Sequence, residues 1–110
     1  MTEDELLTGL LELFGLTGWR AYHVRRSDRA TIQGAGGEGF PDVIAAHPAS
    51  SRLVAIECKG DRGYPTPGQL AWLFAFRAAS IEATIVRPAT YDAAIAWIQG
   101  RGPMPDARVR

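Results

Sequence analysis

Two short apolar runs, 40–46 and 53–58, flank His47-Pro48-Ala49-Ser50-Ser51-Arg52, and no other feature constrains the chain as much. Short β-rich runs joined by turn formers predict a hairpin. If the turn is centred between Ala49 and Ser50, residues whose numbers add to 99 face each other, which sets Asp42 opposite Glu57. Glu57 and Lys59 are two apart and project from one face of their strand. Cys58 points the other way with Val54 and Ile56, as a core residue. Ala55, on the charged face, is small and leaves room there for something to approach. The hairpin thus ends in two carboxylates and one ammonium on a single face.

The flanking segments define the rest. Segment 2–16 has the spacing of an amphipathic helix, with Thr2 as N-cap and Glu3, Asp4 and Glu5 in the first turn. Leu6, Leu7, Leu10, Leu11, Leu13 and Phe14 form its apolar stripe. Glu5 and Glu12 fall on the water side, but Glu3 aligns with Leu7, Leu10 and Phe14. Either the first turn frays and Glu3 reaches solvent, or Glu3 faces inward. A strand over 19–24 leads into Arg25, Arg26, Ser27, Asp28 and Arg29, and four glycines over 31–39 predict a flexible loop. Thr66, Pro67 and Gln69 mark a helix start. That helix runs to about Ala79 and is expected to bury Leu70, Leu73, Phe74 and Phe76, with Trp72 near its edge. A strand over 83–87 and a helix over 90–99, presenting Ile95, Trp97 and Ile98, complete residues 1–99 as one domain. The tail, 100–110, is rich in Gly, Pro and Arg and is expected to be disordered. Helix, strand, strand, strand, helix, strand, helix predicts an α/β fold, a mixed sheet with helices on both faces.

With 110 residues and 46% apolar content, one domain can bury a core without staples. The single cysteine excludes a disulfide framework and any multi-cysteine zinc site. Together with the lack of a signal peptide or long apolar run, it implies a cytoplasmic setting and no membrane. The formal net charge is zero, so overall charge gives no argument for nucleic-acid binding. Of the twelve basic residues only Lys59 is a lysine. A GC-rich coding sequence explains the arginine excess, and the surviving lysine stands where arginine would not serve.

Two carboxylates and an amine on one face make either a salt-bridge cluster or a site. A charge cluster ending two apolar strands is costly without purpose. Hard oxygen donors at this density suit magnesium, with manganese able to substitute. Such an ion accepts phosphate oxygens, as phosphodiester hydrolysis requires. Lys59 can polarise the attacking water or stabilise charge in the transition state.

Gly39-Phe40-Pro41-Asp42, then Ile56-Glu57-Cys58-Lys59-Gly60, then Gln69 with Trp72, resemble the virus-type replication–repair nuclease (VRR-NUC) domain over about 3–98. That domain is a branch of the PD-(D/E)XK superfamily, often found as stand-alone phage proteins. The resemblance implies an αβββαβα, restriction-endonuclease-like core. It also implies that Asp42 and Glu57 bind the metal with the Cys58 backbone carbonyl, and that Lys59 is the catalytic lysine. A first-helix glutamate completes the acidic pocket in such domains, and the helical wheel selects Glu3 over Glu5. Gln69 would line the pocket and contact the lysine or the phosphate. It also suits a capping partner for Thr66, and the two roles are compatible.

Arg25, Arg26 and Arg29 fit phosphate-backbone binding beside such a site, or a solvated charged loop. His23 is a candidate phosphate contact or a structural strand histidine, and Arg62 is a weaker candidate contact. The expected function is magnesium-dependent cleavage of DNA, with a branched substrate and phage replication or recombination implied by the resemblance. Junction resolution takes two symmetric cuts and so requires a twofold homodimer. The rivals are a flap, nicking or RNA-directed nuclease, and a catalytically silent nucleic-acid-binding module.

Overall fold

The structure, a computed structural model, describes residues 1–24 and 38–106. Arg25, Arg26 and Arg29, and the expected flexible loop as far as Gly37, lie outside the described residues.

Helix α1 spans Glu3–Leu16 and starts at a reciprocal capping box. The Thr2 amide donates to Glu5 Oε1 at 2.8 Å, and the Glu5 amide donates to Thr2 Oγ1 at 3.1 Å. The apolar stripe buries Leu6, Leu10 and Phe14, with Leu7, Leu11 and Leu13 packed beside them. Strands β1 (Arg20–His23), β2 (Val43–His47), β3 (Arg52–Cys58) and β4 (Glu82–Val86) form one sheet in chain order. The β1–β2 and β2–β3 pairings are antiparallel and β3–β4 is parallel. A parallel neighbour needs a crossover, and α2 (Pro67–Ala78) supplies it. A 3₁₀ turn, Pro88–Thr90, then leads into α3 (Tyr91–Ile98). The order αβββαβα is the one expected.

Alternation along the strands divides the core in two. Val43, Ala45, Val54, Ile56, Cys58 and Val86 pack with α1 and α3 on one face. Ala55, Ala83 and Ile85 meet Leu73 and Phe76 of α2 on the other, with Ile44 beside them. Cys58 is the core residue it was expected to be. The hairpin register is also as expected: Val43 pairs with Ile56 and His47 with Arg52. Among the described residues no helix is long and apolar enough to cross a membrane.

Four expectations need correction. Asp42 is not in a strand: β2 begins at Val43, after the buried Pro41 and a bend at Asp42. Ala55 does not leave a space for a ligand, because Leu73 of α2 packs there. Phe74 is 58% exposed, and within α2 only Leu73 is buried; Leu73 and Phe76 meet β3, β4 and Ile44 of β2, an apolar arc narrower than the sequence suggests. The tail is ordered as far as Asp106: Met104 packs on the core, Pro105 is buried, and the Pro105 carbonyl accepts the Thr84 hydroxyl at 2.7 Å. Residues 107–110 lie outside the described ones.

Candidate active site

The carboxyl end of β3 and the start of β2 lie side by side. Extending the β2–β3 register one step beyond Val43–Ile56 sets Asp42 opposite Glu57. The two share a cleft of about 300 Å³ with Glu3, Asp4, Leu7, His23, Val24, Cys58, Lys59 and Gln69. Asp42 is 9% exposed and Glu57 is 2% exposed. The Cys58 amide donates to Asp42 Oδ2 at 2.8 Å, and the Val24 amide donates to the Asp42 carbonyl at 2.8 Å. These two bonds fix the Asp42 backbone and side chain together. Around Glu57, Gln69 Nε2 donates to Oε2 at 3.1 Å, and Lys59 Nζ stands 3.8 Å from the same oxygen. A buried carboxylate needs such partners to stay ionised.

Gln69 performs two tasks. Its Oε1 accepts the Thr66 amide at 2.8 Å while its own amide donates to Thr66 Oγ1 at 3.2 Å, which closes the α2 capping box. Its Nε2 is thereby aimed at Glu57. The contact runs to the glutamate rather than to Lys59, as one of the expected alternatives had it. Gly39 sets the distance between this helix end and Asp42. At φ +84° it lies against Gly68 and Gln69 so closely that a Cβ would run into their backbone. Phe40 then packs edge-on to Trp72, ring centroids 4.8 Å apart. Gly39, Phe40 and Trp72 thus hold the carboxylates and the glutamine in one place.

Glu3 lines the cleft although its side chain is exposed, so it stands at the rim. Glu5 and Glu12 are exposed and outside this cleft. Burial raises the Cys58 thiol's pKa, and Asp42, Glu57 and Glu3 raise it further in that order. Three carboxylates therefore bear on one point of β3. His23 lines the cleft, and exposed Arg62 does not. Sequence reasoning missed Asp4, which also lines the cleft; it lies three residues before Leu7, at the border of the stripe.

A larger cavity, about 460 Å³, opens at the other end of the sheet beside Trp19, His47 and Arg52. Its polar groups already pair with one another or with the backbone. His47 bonds Ser50 Oγ at 2.6 Å and the Thr17 carbonyl at 3.1 Å, and Arg52 donates to Glu82 at 2.9 and 3.0 Å. Its titratable groups are thus tied into the scaffold.

By sequence the chain matches no protein-family model and no curated protein. Comparison of structures does find likeness. The mixed sheet flanked by helices is an α/β fold, with the carboxylates and lysine at a strand end. More narrowly, it is the fold of VRR-NUC domains. A solved "VRR_NUC domain" is similar at TM-score 0.65 and 20% identity, over 86% of this chain and 96% of that one. A "VRR_NUC domain protein" is similar at TM-score 0.59 and 20% identity, over 100% of this chain and 98% of that one.

Proposed function

We propose that the protein is a magnesium-dependent endonuclease that hydrolyses phosphodiester bonds in DNA. The observation that carries this reading is one cleft joining buried Asp42 and Glu57, Lys59 Nζ 3.8 Å from Glu57, and a glutamine held on the same carboxylate. The fold shared with VRR-NUC domains supports it.

The donor set fits magnesium. Among the described residues no group of three or more acidic, histidine or cysteine side chains is gathered tightly enough to hold an ion by itself. Magnesium does not need such a cage: it keeps several waters and is bound through one or two carboxylates plus substrate phosphate. Asp42, Glu57 and the Cys58 carbonyl would hold it, with Glu3 reaching from the rim. When bound, the ion supplies charge neutralisation at the scissile phosphate and a more acidic attacking water. Lys59 donates to the attacking water or to a phosphate oxygen as negative charge grows. Gln69 keeps the Glu57 carboxylate in one rotamer, and α1 closes one side of the cleft with Leu7. His23, Arg25, Arg26 and Arg29 take the substrate's backbone phosphates, with Arg62 a weaker contact.

Within this reading the substrate is branched DNA, cut in the cytoplasm during phage replication or recombination. Cutting a four-way junction on both strands requires a homodimer. The test is incubation with labelled linear, flap and four-way DNA, and with RNA, with and without magnesium or manganese. Metal-dependent cutting of four-way DNA, lost in Lys59→Ala while affinity in calcium stays within about a few-fold, is the expected result. Preference for flaps or RNA would move the substrate class. Binding with no cutting of any substrate would make the protein a silent binding module.

A further inference from the structure

Arg87 follows β4 directly and is 5% exposed. Its Nη1 donates to the Gly60 carbonyl at 2.6 Å and to the Gly63 carbonyl at 2.7 Å. One nitrogen thus grips both ends of the turn that follows Lys59, a turn closed by the Gly63 amide on the Gly60 carbonyl at 3.1 Å. Asp61 Oδ1 accepts the Ala89 amide at 3.0 Å and fastens the same turn to the chain beyond β4. Lys59 enters this arrangement through its amide, which donates to the Val86 carbonyl at 3.0 Å. Its stem runs along the turn, where a Cβ on Gly63 would lie 3.5 Å from Lys59 Cδ.

Burying a guanidinium is expensive unless it is well paired, and two of the bonds that Arg87 makes run to main-chain carbonyls of a glycine turn. A turn with two glycines has much backbone freedom to lose, so it does not hold one shape unaided. We propose that Arg87 is a positioning residue: its clamp on Gly60 and Gly63 fixes the turn, and the turn fixes the aim of Lys59 into the cleft. The catalytic part of this proposal rests on the nuclease reading. The clamp itself does not.

The test compares the full chain with Arg87→Met and Arg87→Lys. Lysine keeps a three-donor ammonium on a stem one bond shorter than the one that carries Nη1, whereas methionine has no donor for either carbonyl. In Arg87→Met, kcat on the best DNA substrate should fall about 10- to 100-fold. DNA affinity in calcium should stay within about a few-fold, since the phosphate contacts are elsewhere. Amide exchange at Gly60 to Gly63 should accelerate while exchange within β3 does not, and Arg87→Lys should recover most of both losses. Wild-type kcat in Arg87→Met would overturn the proposal. So would a loss matched by global melting that the lysine fails to repair. If the wild-type chain cuts nothing, the nuclease reading falls and exchange alone judges the clamp. Faster exchange at Gly60 to Gly63 would then uphold it, and unchanged exchange would reject it. Should Arg87→Met not fold, Arg87→Lys is compared with wild type: faster exchange at Gly60 to Gly63 together with a lower kcat upholds the proposal, and faster exchange with unchanged kcat overturns it.

Discussion

Glu57 has a carboxylate 2% exposed to solvent, close to the acidic group of Asp42 in one cleft. Holding such a charge costs on the order of several kcal/mol, which its partners, the lysine at 3.8 Å and the Gln69 amide among them, offset. Neutralising it relieves that cost but also takes the ion-pair partner from Lys59, so the metal-free fold should change little while activity is destroyed. Glu57→Gln is expected to melt within about 1 kcal/mol of wild type without metal, because relief of the buried charge and loss of the Lys59 pairing oppose each other. Magnesium should raise the wild-type midpoint by mass action and leave that of the variant unmoved. A variant that melts well below wild type in metal-free buffer would contradict this. The rim carboxylates give a second comparison. Glu3→Gln should weaken cleavage severalfold and Asp4→Asn somewhat less, whereas Glu5→Gln should cost only some of the helix cap, because Glu5 is spent on Thr2. Equal losses at Glu3 and Glu5, measured as kcat/KM, would remove α1 from the site. Glu3 was legible in the sequence because the helical period is regular; its height above the cleft floor was not, since that depends on how α1 tilts across the sheet.

At the scale of elements, the hairpin was readable because its register follows from the turn between two adjacent strands. The burial of α2 was not readable, because its sequence does not say which of its apolar residues would meet the sheet. Gly39 shows how the elements are locked together. Its left-handed φ and its approach to Gly68 and Gln69 make alanine doubly unsuitable. Gly39→Ala should cost about 1–3 kcal/mol in denaturant unfolding and lower cleavage further than stability explains, by shifting Gln69 away from Glu57. A second lock ties the opposite ends of β3 and β4. Glu82 accepts from Arg52, and Trp97 Nε1 donates to it at 2.7 Å. The hydrogen bonds from Arg52, against an opposing desolvation, hold the Glu82 carboxyl below its usual range. A depressed folded pKa adds stability above the unfolded value and loses it as pH falls through the folded one. Glu82→Gln should thus destabilise at neutral pH, by no more than about 1 kcal/mol for a carboxylate this exposed. The difference from wild type should close in strong acid. A gap that persists unchanged there would assign it to packing on Trp97.

On the scale of the whole molecule, the order of elements was legible from periodicity and caps, and so was the location of the charged site at the strand ends. Two features were not. Arg87 acts on a turn more than twenty residues earlier, and that contact exists only because β3 and β4 run parallel and end together. The tail was misread for a related reason. Gly100, Gly102, Pro103 and Pro105 look like a disordered end, yet their composition only rules out regular structure and does not exclude packing. Gly102 lies against Ala96, Met104 covers part of the core, and Pro105 offers its carbonyl to the Thr84 hydroxyl, which is fully buried on β4. A chain ending at Gln99 would uncover Met104's share of the core and leave that hydroxyl without its acceptor at Pro105. An unsatisfied buried hydroxyl alone costs about 1–3 kcal/mol. Such a chain should melt several degrees lower than one ending at Asp106. Thr84→Val in the full chain should recover part of what the hydroxyl loses when combined with the truncation, because it removes the group that needs an acceptor. Any rise in midpoint with magnesium should survive truncation, since among the described residues no cleft residue comes from the tail. If the chains ending at Gln99 and Asp106 melt together, residues 100–106 rest on the sheet without supporting it.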